Sequence, residues 1–250
     1  MAGTPFSFAA LLERPDIWRG DSLSRAGTPA VPSGFPELDA ELPGGGWPAG
    51  TLTEILPAHE GIGELRLLGP ALAALSNRGL RLAWIAPPHL PYAPALAAAG
   101  IDIAMLVIVR TASLKETLWA AEQALAANAC GAVLAWPQGA KYAELRRLQI
   151  VAEGGRAPAF LFRSPQAAGE SSPAALRIAL GTAKEGLGPF RIVIESGLAV
   201  HVLKRRGAPL ARPVLLPAMP PAVRGKNHHV DRHPAASAAA RDFLARLVHA

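Results

Sequence analysis

The order of segments along the chain predicts an α/β fold: a mostly parallel sheet flanked by helices, with a short antiparallel extension towards the C-terminus. Three observations carry this. Five short apolar runs, at 51–56, 80–85, 105–109, 131–136 and 159–163, are separated by segments of helical length and periodicity. The runs are almost continuously apolar rather than alternating, which is the pattern of parallel strands covered on both faces. After residue 175 the helical segments stop, and short strand patterns at 176–180, 190–195 and 199–204 follow one another across turn residues, as antiparallel neighbours do.

Residues 1–30 are polar and punctuated by Gly and Pro, with one apolar group (Phe6, Phe8, Leu11, Leu12), and read as a loosely docked arm. The dense part begins near Val31 and runs to residue 217 as one core domain. Within it the helical patterns fall at 64–77, 93–99, 114–128 and 142–153, one in each gap between the five apolar runs. From 218 to 250 the chain turns rich in Pro, Arg and His, with five Arg or Lys against two Asp, and reads as a basic tail. At its end Phe243, Leu244, Leu247 and Val248 have the i, i+4 spacing of a short apolar-faced helix. Such a helix serves either as a partner-binding peptide or as a piece that docks on its own domain.

Composition limits the classes of function. The chain has 250 residues, 50% of them hydrophobic and 18% charged, enough apolar material for a sizeable core. A net charge of +6 admits a polyanionic partner without requiring one. The single cysteine, Cys130, excludes an internal disulfide and a thiolate zinc cluster, and reads as a small buried hydrophobe. The N-terminus has neither the basic nor the long apolar part of a secretory signal. Two uncharged stretches, 82–101 and 123–140, are broken by prolines or polar residues, so neither reads as a membrane-spanning helix. The expectation is a cytoplasmic protein.

Motifs of reaction chemistry are weak. Gly44-Gly45-Gly46 precedes a strand instead of opening a helix, which is the wrong place for a dinucleotide site. The loop containing His59, Glu60, Gly61, Gly63, Glu64 and Leu65 follows a strand and leads into a helix, where a phosphate cradle belongs. Such a cradle ends in Lys for the phosphates and Ser or Thr for magnesium. Here those two positions hold Glu64 and Leu65; a carboxylate repels a triphosphate and a leucine ligates no metal. His228, His229, Asp231 and His233 cluster in the tail without a rigid scaffold, so no metal site is assigned. Lys204-Arg205-Arg206, ending a strand, is the strongest basic cluster, suited to a solvated strand end or to contact with nucleic acid or an acidic partner.

Several segments together resemble the RecA/RadA recombinase core. Ser33-Gly34-Phe35-Pro36-Glu37-Leu38-Asp39 and Gly44–Gly50 are similar to the Gly-x-x-x-Leu-Asp segment and Gly-rich turn that lead into its P-loop strand. The resemblance implies a RecA-like fold and places further positions. Pro88 stands where the catalytic glutamate would be, Trp136 where the Walker B aspartate would be, and Arg163 where the sensor glutamine would be. With Glu64 and Leu65, the ATPase positions are lost together, which implies no catalytic residues and no cofactor. Ser164–Ala174 lies where the recombinase has a DNA-binding loop, but is shorter.

Within that superfamily the chain resembles the ImuA family through Asp16-Ile17-Trp18-Arg19-Gly20, Leu38–Gly46, Glu60–Leu65, Trp84–Pro94, Gly131–Trp136 and Leu203–Gly207. That resemblance implies a DNA-damage-induced (SOS) accessory factor of translesion synthesis and mutagenesis. Its implied partners are ImuB, an error-prone polymerase and RecA itself. Lys204, Arg205, Arg206, Phe243, Leu244 and Leu247 are the expected contacts to partner or DNA, with DNA secondary. A SulA-like cell-division inhibitor is the alternative, since that family shares the Thr53–Leu65 region and the 132–136 strand. An active RecA-like ATPase is the third reading, opposed by Glu64, Leu65, Pro88 and Trp136.

Overall fold

The computed structural model describes residues 29–182, 197–208 and 210–217. The strand expected at 190–195, the arm up to residue 28 and the tail from 218 lie outside the described residues.

The chain enters through β1 (Ala30–Val31), a short helix α1 (Pro36–Asp39) and β2 (Trp47–Pro48). β1 and β2 form a two-stranded antiparallel ladder in which Val31 faces Trp47. The βα units then follow: β3 (Leu52–Pro57), α2 (Glu64–Ser76), β4 (Arg81–Ile85), α3 (Ala93–Ala98), β5 (Leu106–Val109), α4 (Leu114–Ala126), β6 (Cys130–Ala135), α5 (Tyr142–Glu153) and β7 (Ala159–Phe162). Three strands close the described chain: β8 (Leu176–Thr182), β9 (Leu198–Lys204) and β10 (Val214–Leu216).

The eight strands β3–β10 form one sheet in the order β10-β9-β8-β3-β7-β6-β4-β5. Strand β3 lies inside it with parallel neighbours on both sides, β7 (Thr53 opposite Phe160) and β8 (Thr53 opposite Leu176). β9 and β10 run antiparallel. The α/β class, the mostly parallel sheet and the antiparallel C-terminal extension are therefore as the sequence predicts.

The continuous apolar runs follow from burial on both faces. Successive side chains of a strand point to opposite faces. Leu82 and Trp84 of β4, Ala132 and Leu134 of β6, and Phe160 and Phe162 of β7 enter one core with Leu67, Leu68 and Leu72 of α2. Ala83 and Ile85, Val133 and Ala135, and Ala159 and Leu161 enter the other, against Ala120, Ala121 and Ala124 of α4 and Leu145, Leu148 and Ala152 of α5. The alanine-rich face of α4 lets that helix approach the sheet closely. Buried Gln149 of α5 accepts the Leu52 N–H at 3.0 Å, fixing α5 to the start of β3.

Three departures from the sequence reading have simple causes. β1, β2 and β10 are two or three residues long, too short to show a period. α4 stops at Ala126 rather than 128, because Asn128 takes a left-handed φ of 48°. Ala30, which the reading placed at the end of the arm, pairs with Pro48. Gly34 has a physical role in the α1 approach: its φ is 86°, and a Cβ there would stand 2.3 Å from Cβ of Pro70, inside α2.

Among the described residues, no helix is long and apolar enough to cross a membrane.

Candidate functional site

The loop between β3 and α2 lies at the C-terminal end of β3, at the mouth of an open α/β sheet, where such folds hold ligands. Gly61 and Gly63 have φ of 76° and 118°, a left-handed backbone that turns their amides to one side. That concavity is filled from within. The Gly61 N–H donates to Oε1 of Glu64 at 3.1 Å, and the Gly63 N–H donates to Oε2 at 3.0 Å. Glu64 is the first residue of α2, where the helix dipole also favours a negative charge. The carboxylate thus satisfies N–H groups that a phosphate would otherwise meet.

The other loop residues are disposed around this contact. Glu60 and His59 are exposed, with the His59 Nδ1 3.2 Å from the Glu60 carbonyl oxygen. Glu60 Oε2 lies 3.2 Å from Nε2 of His89, and both side chains are largely in solvent. Leu65 packs against the α2-side core and presents no ligand atom. Pro88 is exposed in the loop after β4.

Trp136 follows β6 and is built into the apolar packing. Its ring stacks on Phe162 with centroids 4.5 Å apart and planes 11° apart, and lies 6.0 Å from the Trp84 ring. Its backbone N–H donates to the Ile85 carbonyl at 3.2 Å. An aromatic stack therefore stands at the end of β6.

Arg163 belongs to a buried ionic cluster that the sequence reading did not identify. Glu54 of β3 has no solvent exposure. Its Oε1 accepts from Arg163 Nη1 at 3.3 Å and from Ser172 Oγ at 2.6 Å, and its Oε2 accepts from Arg177 Nε at 2.7 Å. Arg163 Nη2 also donates to the Ala140 carbonyl at 2.9 Å and to Glu170 Oε2 at 2.8 Å. Arg177 donates to the carbonyls of Glu170 at 3.0 Å and Ala167 at 2.6 Å. Two arginines thus fasten the 164–174 segment to Glu54, inside β3. The available signal was a carboxylate inside the apolar run at 51–56 and an arginine inside the run at 176–180. A charge in a two-faced buried strand needs a partner.

The basic strand end does not act as one patch. Lys204 Nζ donates to the Ser172 carbonyl at 2.9 Å, close to the same cluster, while the residue remains exposed. Arg205 is largely withdrawn from solvent. It donates to Glu41 Oε2 at 2.9 Å, to the Glu41 carbonyl and to the Ala208 carbonyl. Arg206 is exposed. Phe243, Leu244 and Leu247 lie outside the described residues, as does the His228–His233 cluster. Among the described residues no group of His, Cys, Asp and Glu is arranged to hold a metal ion.

Cys130 is a buried free thiol. Burial pushes its pKa up to about 11, with nearby Arg81 opposing the shift. At neutral pH the thiol is therefore protonated, and the side chain is buried as the sequence predicts.

Glu64 thus lies on the cradle amides and Trp136 in the aromatic stack. The chain is similar to ImuA. It is 30% identical to Protein ImuA in two strains of Caulobacter vibrioides over 135 residues, 52% of this chain and 55% of the ImuA chain. It is also 32% identical to the cell division inhibitor SulA of Edwardsiella piscicida over 97 residues, 39% of this chain and 58% of SulA. The chain spans a little over half the length of the ImuA and SulA proteins it matches. No family model matches it.

Proposed function

We propose that this chain is a non-catalytic accessory factor of a DNA-damage-induced translesion synthesis complex. In this reading it joins an ImuB-like protein and an error-prone polymerase, with RecA a further contact and DNA a secondary one. The observation that carries the reading is Glu64, whose carboxylate sits on the amides of Gly61 and Gly63. A group that already neutralises the cradle, and repels phosphate, argues against nucleotide hydrolysis at this loop. The similarity to ImuA supplies the biological setting.

Three further features support a RecA-like fold without its ATPase. The strand order places the cradle strand β3 between β7 and β8. Trp136 offers an indole where metal binding would need a carboxylate. Arg163 is consumed by Glu54, Glu170 and the Ala140 carbonyl. The 164–174 segment is tied down by the same cluster, which argues against its moving onto DNA as a free loop.

The test is a direct binding and hydrolysis assay on the purified chain. The expected results are complex formation with the ImuB-like protein and no ATP turnover above background. ATP binding at micromolar strength that Gly63→Ala abolishes is the result that sinks the non-catalytic reading. The similarity to SulA favours a second reading, cell-division inhibition. Binding to the division GTPase FtsZ, with filamentation on expression and no binding to the polymerase-like partner, would establish that reading instead.

A further inference from the structure

We infer that the Glu64 carboxylate is a built-in ligand of the β3–α2 loop, which holds the loop in its anion-bound shape without nucleotide. The inference rests on the reading of this loop as non-catalytic and adds how its conformation is set.

A left-handed loop with converging N–H groups gathers positive potential, and it needs an anion or water to satisfy those donors. In a phosphate-binding loop the nucleotide supplies that anion, and the loop shape depends on it. Here each oxygen of one carboxylate takes one N–H, from Gly61 at 3.1 Å and Gly63 at 3.0 Å. The carboxylate is also covalently attached one residue beyond Gly63, so its effective concentration at the cradle is set by the chain and not by solution. A free oxyanion must displace it and meet its charge. The geometry assigns to Glu64 the role that phosphate plays elsewhere: a permanent occupant that makes the loop surface constant whatever the nucleotide level of the cell.

Two neighbours fit this role. Leu65, in place of a metal-binding hydroxyl, packs into the core and anchors the start of α2. Glu60, an exposed residue of the same loop with its Oε2 3.2 Å from Nε2 of His89, adds a second carboxylate to the loop.

The experiment uses the full chain, with exchange of the Gly61 and Gly63 amide protons followed by nuclear magnetic resonance with and without inorganic phosphate. In the wild-type chain both amides are expected to be protected, with no response to millimolar phosphate. In Glu64→Ala the protection is expected to fall about tenfold, the equivalent of one charge-assisted hydrogen bond, and phosphate is expected to restore it. Glu64→Gln, nearly isosteric, is expected to lose part of the protection and carries the test should the alanine variant not fold. Equal exchange in wild type and both variants overturns the inference. So does phosphate binding to the wild type as tightly as to the variants, or a failure of phosphate to restore protection in Glu64→Ala. Partner binding and ATP turnover are read separately, so these outcomes stand apart from those that decide the proposed function.

Discussion

Replacing Arg177 with Met tests whether the buried cluster around Glu54 holds the 164–174 segment. Arg177 donates one bond to the carboxylate, 2.7 Å to Glu54 Oε2, and two more to the Glu170 and Ala167 carbonyls. Methionine keeps much of the volume but none of the donors. Glu54, with no solvent exposure, would retain only Arg163 at 3.3 Å and the Ser172 hydroxyl at 2.6 Å. Breaking a buried pair by removing one partner costs about 3–5 kcal/mol. At roughly 2–4 °C of Tm per kcal/mol for a domain of this size, Tm should fall by about 6–20 °C. Calorimetry on the full chain measures the fall, and amide exchange over 164–174 shows whether that segment loosens first. The triple change Glu54→Leu, Arg163→Met, Arg177→Met removes the charges together and should be much less harmful than the sum of its parts. A loss under about 1 kcal/mol for Arg177→Met, or strict additivity in the triple variant, would refute the reasoning.

Other outcomes follow from single contacts. Cys130 should react with a maleimide far more slowly than an unfolded control at pH 8, because its folded pKa is raised to about 11. By the same shift, its contribution to stability is present below the unfolded value of 9.0 and lost as pH rises towards 11. Trp136→Asp, which restores a carboxylate at the end of β6, should lower stability by about 2–4 kcal/mol through loss of the stack on Phe162, and chemical denaturation measures this. The same variant should gain no ATP turnover, since Glu64 still occupies the cradle. Gly34→Ala should destabilise by about 1–3 kcal/mol, from a φ of 86° and a methyl 2.3 Å from Pro70 Cβ, read as a lowered Tm.

The fold was legible because periodicity is local. The segment 142–153 is α5 residue for residue, and the five apolar runs are five parallel strands displaced by a residue at their ends. The cradle was legible for the same reason: a strand, two glycines and a helix start lie within ten residues of one another. Its chemistry was half legible. Glu64 was visible as the wrong residue for a phosphate, but its carboxylate turning back onto Gly61 and Gly63 depends on the dihedral angles of the loop. The Glu54 cluster was not legible, because its members are separated by 109 residues to Arg163, 118 to Ser172 and 123 to Arg177. Lys204, Arg205 and Arg206 look equivalent in sequence, yet the turn after β9 sends Arg205 to Glu41, 164 residues away.

What the sequence determined by itself is the set of elements, the parallel character of the sheet and the presence of Glu64 and Leu65 at the start of α2, where a phosphate cradle would carry Lys and Ser or Thr. These depend on side-chain size, charge and spacing over a few residues, which are present before folding. The tertiary structure decided which charges are spent internally. Strands β3, β7 and β8 come together as neighbours only in the folded sheet, and their adjacency places Glu54 between two arginines. The low dielectric of that interior turns three separated polar residues into one clamp, because an unpaired charge there would cost more than the fold could bear.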